Sequence, residues 1–182
     1  MNAVPRIVHQ VWLGPEIPEA EYLMREAGRL AVAAGWAYAR WNSVRPQERA
    51  RNVSAQSNLV RWRVLDEVGG LYLDADVILR ALPDILEGAW ISGVRKPGLV
   101  NPAIQAQPAG HSYSRRILDF VAANLYPFDR ERFTGPWAAT ACMGSDVSVW
   151  PWQDWGPDGR YGTHLFRGSS GWNSLSLPAV RS

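Results

Sequence analysis

Two aspartates, Asp74 and Asp76, stand one residue apart directly after the apolar run Leu71-Tyr72-Leu73, and an amide and a guanidinium, Asn58 and Arg61, stand three apart in the stretch before them. A D-x-D pair at a strand end offers carboxylate oxygens to a hard divalent cation, whose remaining positions stay open to phosphate oxygens and water. The guest that suits such a pair is a metal-bound diphosphate. With nine Asp in the chain, the triplet alone is a weak signal. Its setting strengthens it, because adjacent like charges ending an apolar segment repel unless something neutralises them, and a cation does so directly. A solvated acidic turn is the plainer alternative.

The elements that must position these groups lie in residues 54–79, SAQSNLVRWRVLDEVGGLYLDADVIL. Ser54 suits an N-cap, and the apolar stripe Leu59, Trp62, Leu65 and Val68 predicts an amphipathic helix stopped by Gly69-Gly70. Leu71-Tyr72-Leu73 then predicts a buried strand. If the extended conformation persists, period two puts Tyr72, Asp74 and Asp76 on one face and Leu71, Leu73 and Ala75 on the other. Asn58 and Arg61 share one helix face and can point into the same crevice.

Upstream, residues 5–14 have the β-branched run of a first buried strand, closed by Gly14-Pro15. His9 in its middle reads as a hydrogen-bonded core histidine. Trp12 sits at its carboxyl end, where ligands collect in a parallel α/β sheet. Residues 18–34 predict a helix with Leu23, Ala27, Leu30, Ala31 and Ala34 on its inner face, and residues 36–41 a second strand ending at Trp41-Asn42. The polar, arginine-bearing segment 43–52 reads as a solvated loop or helix. Downstream, the patterns predict extended structure at 77–79, a short helix at 83–88, a strand at 89–94 and a helix at 110–125 with Ile117, Leu118, Val121 and Leu125 inward. Asn101 precedes Pro102 and suits a plain turn. The run Trp150-Pro151-Trp152-Gln153-Asp154-Trp155 is an aromatic wall or core packing, and the sequence does not choose.

The 182 residues, 47% hydrophobic and 20% charged, predict one compact domain over 1–182. A net charge of +2, with 18 Arg and one Lys spread along the chain, argues against a nucleic-acid surface. A single cysteine, Cys142, permits no internal disulfide, fits a reducing compartment and reads as core. No stretch approaches 18 apolar residues, and the N-terminus carries no basic segment followed by an apolar run, so a cytoplasmic protein without a transmembrane segment is expected. Contact with the inner face of a membrane is compatible with that. Of ten Trp, five fall between Trp137 and Trp172; aromatic planes hold sugars and bases, although core packing accounts for most.

The run SNLVRWRVLDEVGGLYLDADV resembles the DXD-containing sugar-transferase region of the family 32 glycosyltransferases, which include yeast initiating mannosyltransferases and bacterial capsule and lipopolysaccharide sugar transferases, with glucosylating clostridial toxins more distant. PRIVHQVWLG, Trp41-Asn42, Asn101-Pro102, Thr134-Gly135-Pro136, and His164 with Ser170 and Trp172 follow in the family's order, so the resemblance spans most of the chain. It implies an α/β, GT-A-like nucleotide-diphospho-sugar transferase fold with a mostly parallel central sheet flanked by helices. It also implies a retaining, metal-dependent hexosyltransferase that uses Mn²⁺ or Mg²⁺ and a UDP-sugar or GDP-sugar in surface-polysaccharide synthesis, with a glycan or lipid-linked acceptor.

By that resemblance Asp74, Asp76 and His164 hold the metal. Arg61 and Asn58 hold sugar hydroxyls, and Trp12 stacks on the base. Tyr72, Asn42, Asn101, Ser170 and Trp172 complete the donor site. One departure stands out: family members usually carry Asp where this chain has Asn58, which leaves the identity of the donor sugar open. Two other readings stay open on the sequence, a nucleotide-sugar binding module without turnover and a metal-dependent phosphohydrolase.

Overall fold

The computed structural model describes residues 3–50, 52–84, 87–96, 98–124 and 134–167. Strand β1 (Ile7–Val11) runs into helix α1 (Pro18–Ala33), which starts on a proline at its first position and gives way at Gly35, in the left-handed region at φ +75°. The chain returns as β2 (Ala37–Trp41), parallel to β1 with Ile7 opposite Ala37. Helix α2 (Val53–Glu67) then carries it back across β1 to β3 (Gly70–Leu73), also parallel to β1. The strands β4 (Val77–Leu79), β5 (Ala89–Gly93) and β6 (Val100–Gln107), helix α3 (Ser112–Ala123), helix α4 (Pro136–Ala141) and strands β7 (Val147–Trp150) and β8 (Gly162–His164) follow.

The six-stranded sheet has the order β2-β1-β3-β6-β5-β7, with β6 alone opposed to the other five. The fold is therefore α/β with a mostly parallel sheet. β1 lies at the switch point, since α1 leads from it to one neighbour and α2 brings the chain to the other. Crevices of this kind open at the carboxyl ends of the strands. A second, two-stranded sheet pairs β4 with β8, setting Val77 opposite His164 beyond the end of β3.

Period-two alternation sorts the core. Val8, Leu71, Leu73, Ile104 and Ala106 pack with Ala31, Trp36, Trp150 and Trp155 on one side of the sheet. Val11 and Tyr72 pack with Val60, Val64 and Leu65 on the other, where Ile91 meets Trp62, Tyr113 and Ile117. The turn from α2 into β3 depends on its two glycines. Gly69 and Gly70 adopt φ +69° and +110°, and a Cβ on Gly69 would lie 2.5 Å from the Ala109 nitrogen, one on Gly70 2.7 Å from the Ile7 carbonyl.

Several expectations are corrected. Asn52, not Ser54, caps α2: its side chain accepts a hydrogen bond from the Ser54 amide at 2.8 Å. The helix is not amphipathic in the ordinary sense, since Ala55, Asn58, Leu59, Val60, Arg61, Trp62, Val64 and Leu65 are all buried between the sheet, α3 and the crevice. On α1, Leu30 is only half-buried and Ala34 is exposed, while Met24 and Gly28 join the inner face. Pro83, Asp84, Glu87 and Gly88 are not helical; Glu87 bridges to Ala3 instead. Asn101 lies within β6 rather than in a turn. Cys142 is half-buried at the end of α4, not deep in the core.

Trp150 and Trp155 are core residues, whereas Trp152 is half-buried. Among the described residues no helix is long and apolar enough to cross a membrane.

Candidate active site

The carboxyl ends of β1 and β3, the inner side of α2, the start of β6 and the end of β8 enclose a cavity of about 710 Å³. β3 ends at Leu73. The chain then turns, with the Val77 amide bonding the Asp74 carbonyl at 3.1 Å, so Asp74 and Asp76 meet through a turn rather than through the pleat of a continued strand.

Asp74 is partly open to the cavity and is held through one oxygen. Its Oδ1 accepts from the Tyr72 hydroxyl at 2.8 Å and from Arg61 Nη1 at 3.2 Å, so neither partner engages Oδ2. Burial, then the neighbouring Asp74 charge, raises the Tyr72 phenol well above its ordinary value, so it stays protonated and donates. Arg61 is 2% exposed, with its guanidinium over the rings of Tyr72 and Trp62 at 5.0 and 5.3 Å. Its Nη2 bonds the Asn58 Oδ1, and its Nε has no partner among the described residues. Asn58 Nδ2 donates to the Thr134 hydroxyl at 3.1 Å, while the Trp62 indole donates to the Thr134 carbonyl at 2.8 Å. Thr134 is thus the anchor of the α2 polar face, a contact 76 residues away in the chain.

Asp76 is buried. Its Oδ1 lies 3.2 Å from His164 Nε2, and its Oδ2 accepts from the Arg167 main-chain amide at 2.8 Å. Burial alone pushes the carboxyl up, but the His164 and Arg167 contacts outweigh it and hold Asp76 below the usual carboxylate range. For His164 burial disfavours the charged form, and the hydrogen bond and charge of Asp76 more than offset it, raising the imidazole above its ordinary value. The other ring nitrogen meets a constraint. Asn101 Oδ1 accepts from the Ala103 amide at 3.1 Å, which turns Asn101 Nδ2 toward His164 Nδ1 at 2.8 Å. A proton on Nδ1 therefore requires the Asn101 amide to turn over.

The ligand atoms of Asp74, Asp76 and His164 lie within 4.8 Å of one another. Two carboxylates with an imidazole are a donor set that could hold a divalent metal ion. The spare Oδ2 of Asp74 and the orphaned Nε of Arg61 fit a guest with both a cation and anionic oxygens. Ligation by His164 Nε2 would move its hydrogen to Nδ1, so it is coupled to the Asn101 amide.

Of the residues singled out in the sequence, Trp12, Asn58, Arg61, Tyr72, Asp74, Asp76, Asn101 and His164 all line this cavity. Asn42 does not: it is exposed beyond the end of the edge strand β2. Ser170 and Trp172 lie outside the described residues. Trp12 is half-buried, its indole donating to the Pro15 carbonyl at 2.9 Å. His9, the core histidine of β1, contacts the Gly69 carbonyl through Nε2 at 2.7 Å and accepts from the Trp41 indole through Nδ1. Sequence reasoning missed Phe166, on the cavity wall, and Arg167, whose side chain pairs with Glu19 at the start of α1. No local pattern marks either one.

Residues 23–89 match the family model described as "glycosyltransferase sugar-binding region containing DXD motif". No curated protein sequence matches the chain. Among solved structures, the chain is similar to the PaToxG glycosyltransferase, with a TM-score of 0.59, 13% identity, and 77% of this chain and 69% of that one covered. It is also similar to a glycosyltransferase involved in the glycosylation of the major capsid of PBCV-1, with a TM-score of 0.52, 11% identity, and 80% and 81% covered. At these identities the structural likeness is one of fold. The chain carries a glycosyltransferase-like DXD sugar-binding region on a GT-A-like α/β fold.

Proposed function

We propose that this protein is a divalent-cation-dependent, retaining glycosyltransferase of the family 32 type that moves a hexosyl group from a UDP-sugar or GDP-sugar to a hydroxyl of a glycan or lipid-linked acceptor. One observation carries the reading: Asp74, Asp76 and Arg61 line a single cavity that Trp12 also lines. In the reaction the bond between the anomeric carbon and the phosphate oxygen breaks, both electrons leaving with the nucleoside diphosphate. The acceptor oxygen bonds the anomeric carbon as its proton passes to the departing phosphate. A Mn²⁺ or Mg²⁺ ion, if held there, would supply positive charge toward the departing diphosphate.

Asp74 and Asp76 would hold that ion, with His164 as third ligand once the Asn101 amide turns. Arg61, fixed by Asn58 and two aromatic rings, adds a second, permanently charged group that needs no reorganisation during the reaction. Tyr72 keeps Asp74 oriented, and Trp12 offers a plane to the base. Asp74 and Asp76 are the only carboxylates among the described lining residues, so none is spare to act as a dedicated base. That supports attack from the face the diphosphate leaves, with retention.

The test is calorimetric titration of UDP and GDP with and without Mn²⁺, followed by donor turnover over a panel of nucleotide-sugars. Binding that requires Mn²⁺ and vanishes in Asp76→Ala is expected. Nucleotide binding indifferent to both metal and Asp76 overturns the assignment, and phosphate release from simple esters independent of Trp12 would point to a phosphohydrolase.

A further inference from the structure

Beside the cavity described above lies a second one of about 320 Å³, and the two share Val94, Asn101, His164 and Phe166. Its own walls are aromatic and aliphatic, with Trp152, Trp155, Ile104 and Pro157 prominent. The Arg95 guanidinium lies 4.5 Å from the Trp152 ring centre, and the buried Trp155 indole N–H has no partner among the described residues.

Phe166 stands where the cavities meet. Its ring is 4.1 Å from that of His164, the residue is 67% exposed, and its backbone is left-handed at φ +55°. A side chain with a Cβ pays energy for that conformation, and an exposed ring returns little of it by burial. Burial does not account for that conformation, and what the ring has is its place between the two cavities.

We propose that the second cavity is the acceptor subsite and that it selects a hydroxyl compound bearing a flat apolar group, which lies against Trp152 and Phe166 with the reacting hydroxyl at the opening shared with the donor cavity. This rests on the transferase reading and names the acceptor chemistry within it. A bare, fully hydroxylated sugar fits the walls poorly. The Ser92 hydroxyl donates to the Gly93 carbonyl at 3.0 Å and the Asn101 amide is occupied by Ala103 and His164, so the polar side-chain groups left in these walls, such as the Arg95 guanidinium and the Trp155 indole N–H, are donors that cannot accept a hydroxyl hydrogen. An aryl or similar apolar face against two aromatic rings meets no such cost.

The test uses the full chain with Mn²⁺ and UDP or GDP, titrated with phenyl and methyl β-D-glucopyranoside by ligand-observed saturation-transfer NMR. The phenyl compound is expected to bind at least about tenfold more tightly than the methyl one, and Trp152→Ala to weaken it by about tenfold while leaving nucleotide affinity unchanged. Trp152 is half-buried and lines only the second cavity, so this variant keeps the donor site intact. Phe166→Gly removes the backbone strain and should weaken phenyl-glycoside binding without lowering the melting temperature; a purely structural Phe166 would do the reverse. Equal affinity for the two glycosides, binding of neither, or indifference to Trp152→Ala overturns the proposal. If the wild-type chain binds no nucleotide, the transferase reading fails first, and Trp152-dependent phenyl binding without nucleotide overturns the acceptor role.

Discussion

His9 is fully buried and the His164 side chain is only 9% exposed, and each has both ring nitrogens engaged, but their surroundings differ in kind. His9 sits inside β1 between a carbonyl and an indole, and no charged group faces it among those contacts. Burial lowers its pKa to about 4, with the Gly69 bond opposing weakly. His164 ends β8 against a carboxylate, and its pKa moves the other way. Desolvation silences an imidazole that has only neutral partners; the same desolvation beside Asp76 strengthens a charge pair. Depth alone does not distinguish structure from chemistry in this protein, whereas the nature of the nearest partner does.

The contrast can be broken most severely at the carboxylate. Asp76→Ala should cost at least about a hundredfold in Mn²⁺-dependent nucleotide affinity by calorimetry, with the fold retained by circular dichroism. His9→Ala should do the opposite, leaving affinity per folded molecule unchanged while lowering stability by about 2–4 kcal/mol in urea titrations, because the Gly69 carbonyl and Trp41 indole lose their partner.

Acidity sharpens the comparison next. The His9 contribution is complete above pH 6.5 and is lost as pH falls toward 4, so the metal-free protein should lose about 2 kcal/mol between pH 6.5 and 5, a slope absent from His9→Ala. The His164 contribution has the reverse sign. It is complete below pH 6.5, provided Asp76 stays ionised, and is lost as pH rises through the raised imidazole value; His164→Gln should remove that alkaline loss.

Smaller still, Asn101→Asp offers an acceptor to a proton on His164 Nδ1 and should raise the His164 pKa further, read in an NMR titration. The least effect is expected of Asn58→Asp. The Asn58 amide is engaged at both ends by Arg61 and Thr134, so nucleotide affinity should change by less than about threefold by thermal shift.

The part of the site legible in the sequence is the part built from consecutive residues. The helix, glycine turn and strand over 54–79 were readable because capping, periodicity and glycine signals agree there. Even so, the cap fell on Asn52, whose amide side chain reaches the Ser54 nitrogen as well as a serine would serve a later one. The predicted helix at 83–88 failed because Glu87 is taken by a bridge to Ala3, a tertiary contact that overrides local preference. Asn42 was placed at a strand end correctly, but β2 is the sheet edge and its end opens to solvent rather than the crevice. The Asp76–His164 pair, the Thr134 anchor and the Phe166 divider join residues far apart in the chain. No spacing rule encodes such meetings; the resemblance carried His164, and nothing carried Phe166.

Asp76 receives its second hydrogen bond from a peptide nitrogen at position 167, not from a side chain. Any residue with a main-chain N–H could make that bond, which is set by the length of the chain; the Arg167 side chain is fixed separately, by its pairing with Glu19. One residue added or removed between His164 and Arg167 would shift the donor out of reach and leave Asp76 Oδ2 without it. At Asp76, then, the spacing from His164 to residue 167 counts for more than the side chain that residue carries.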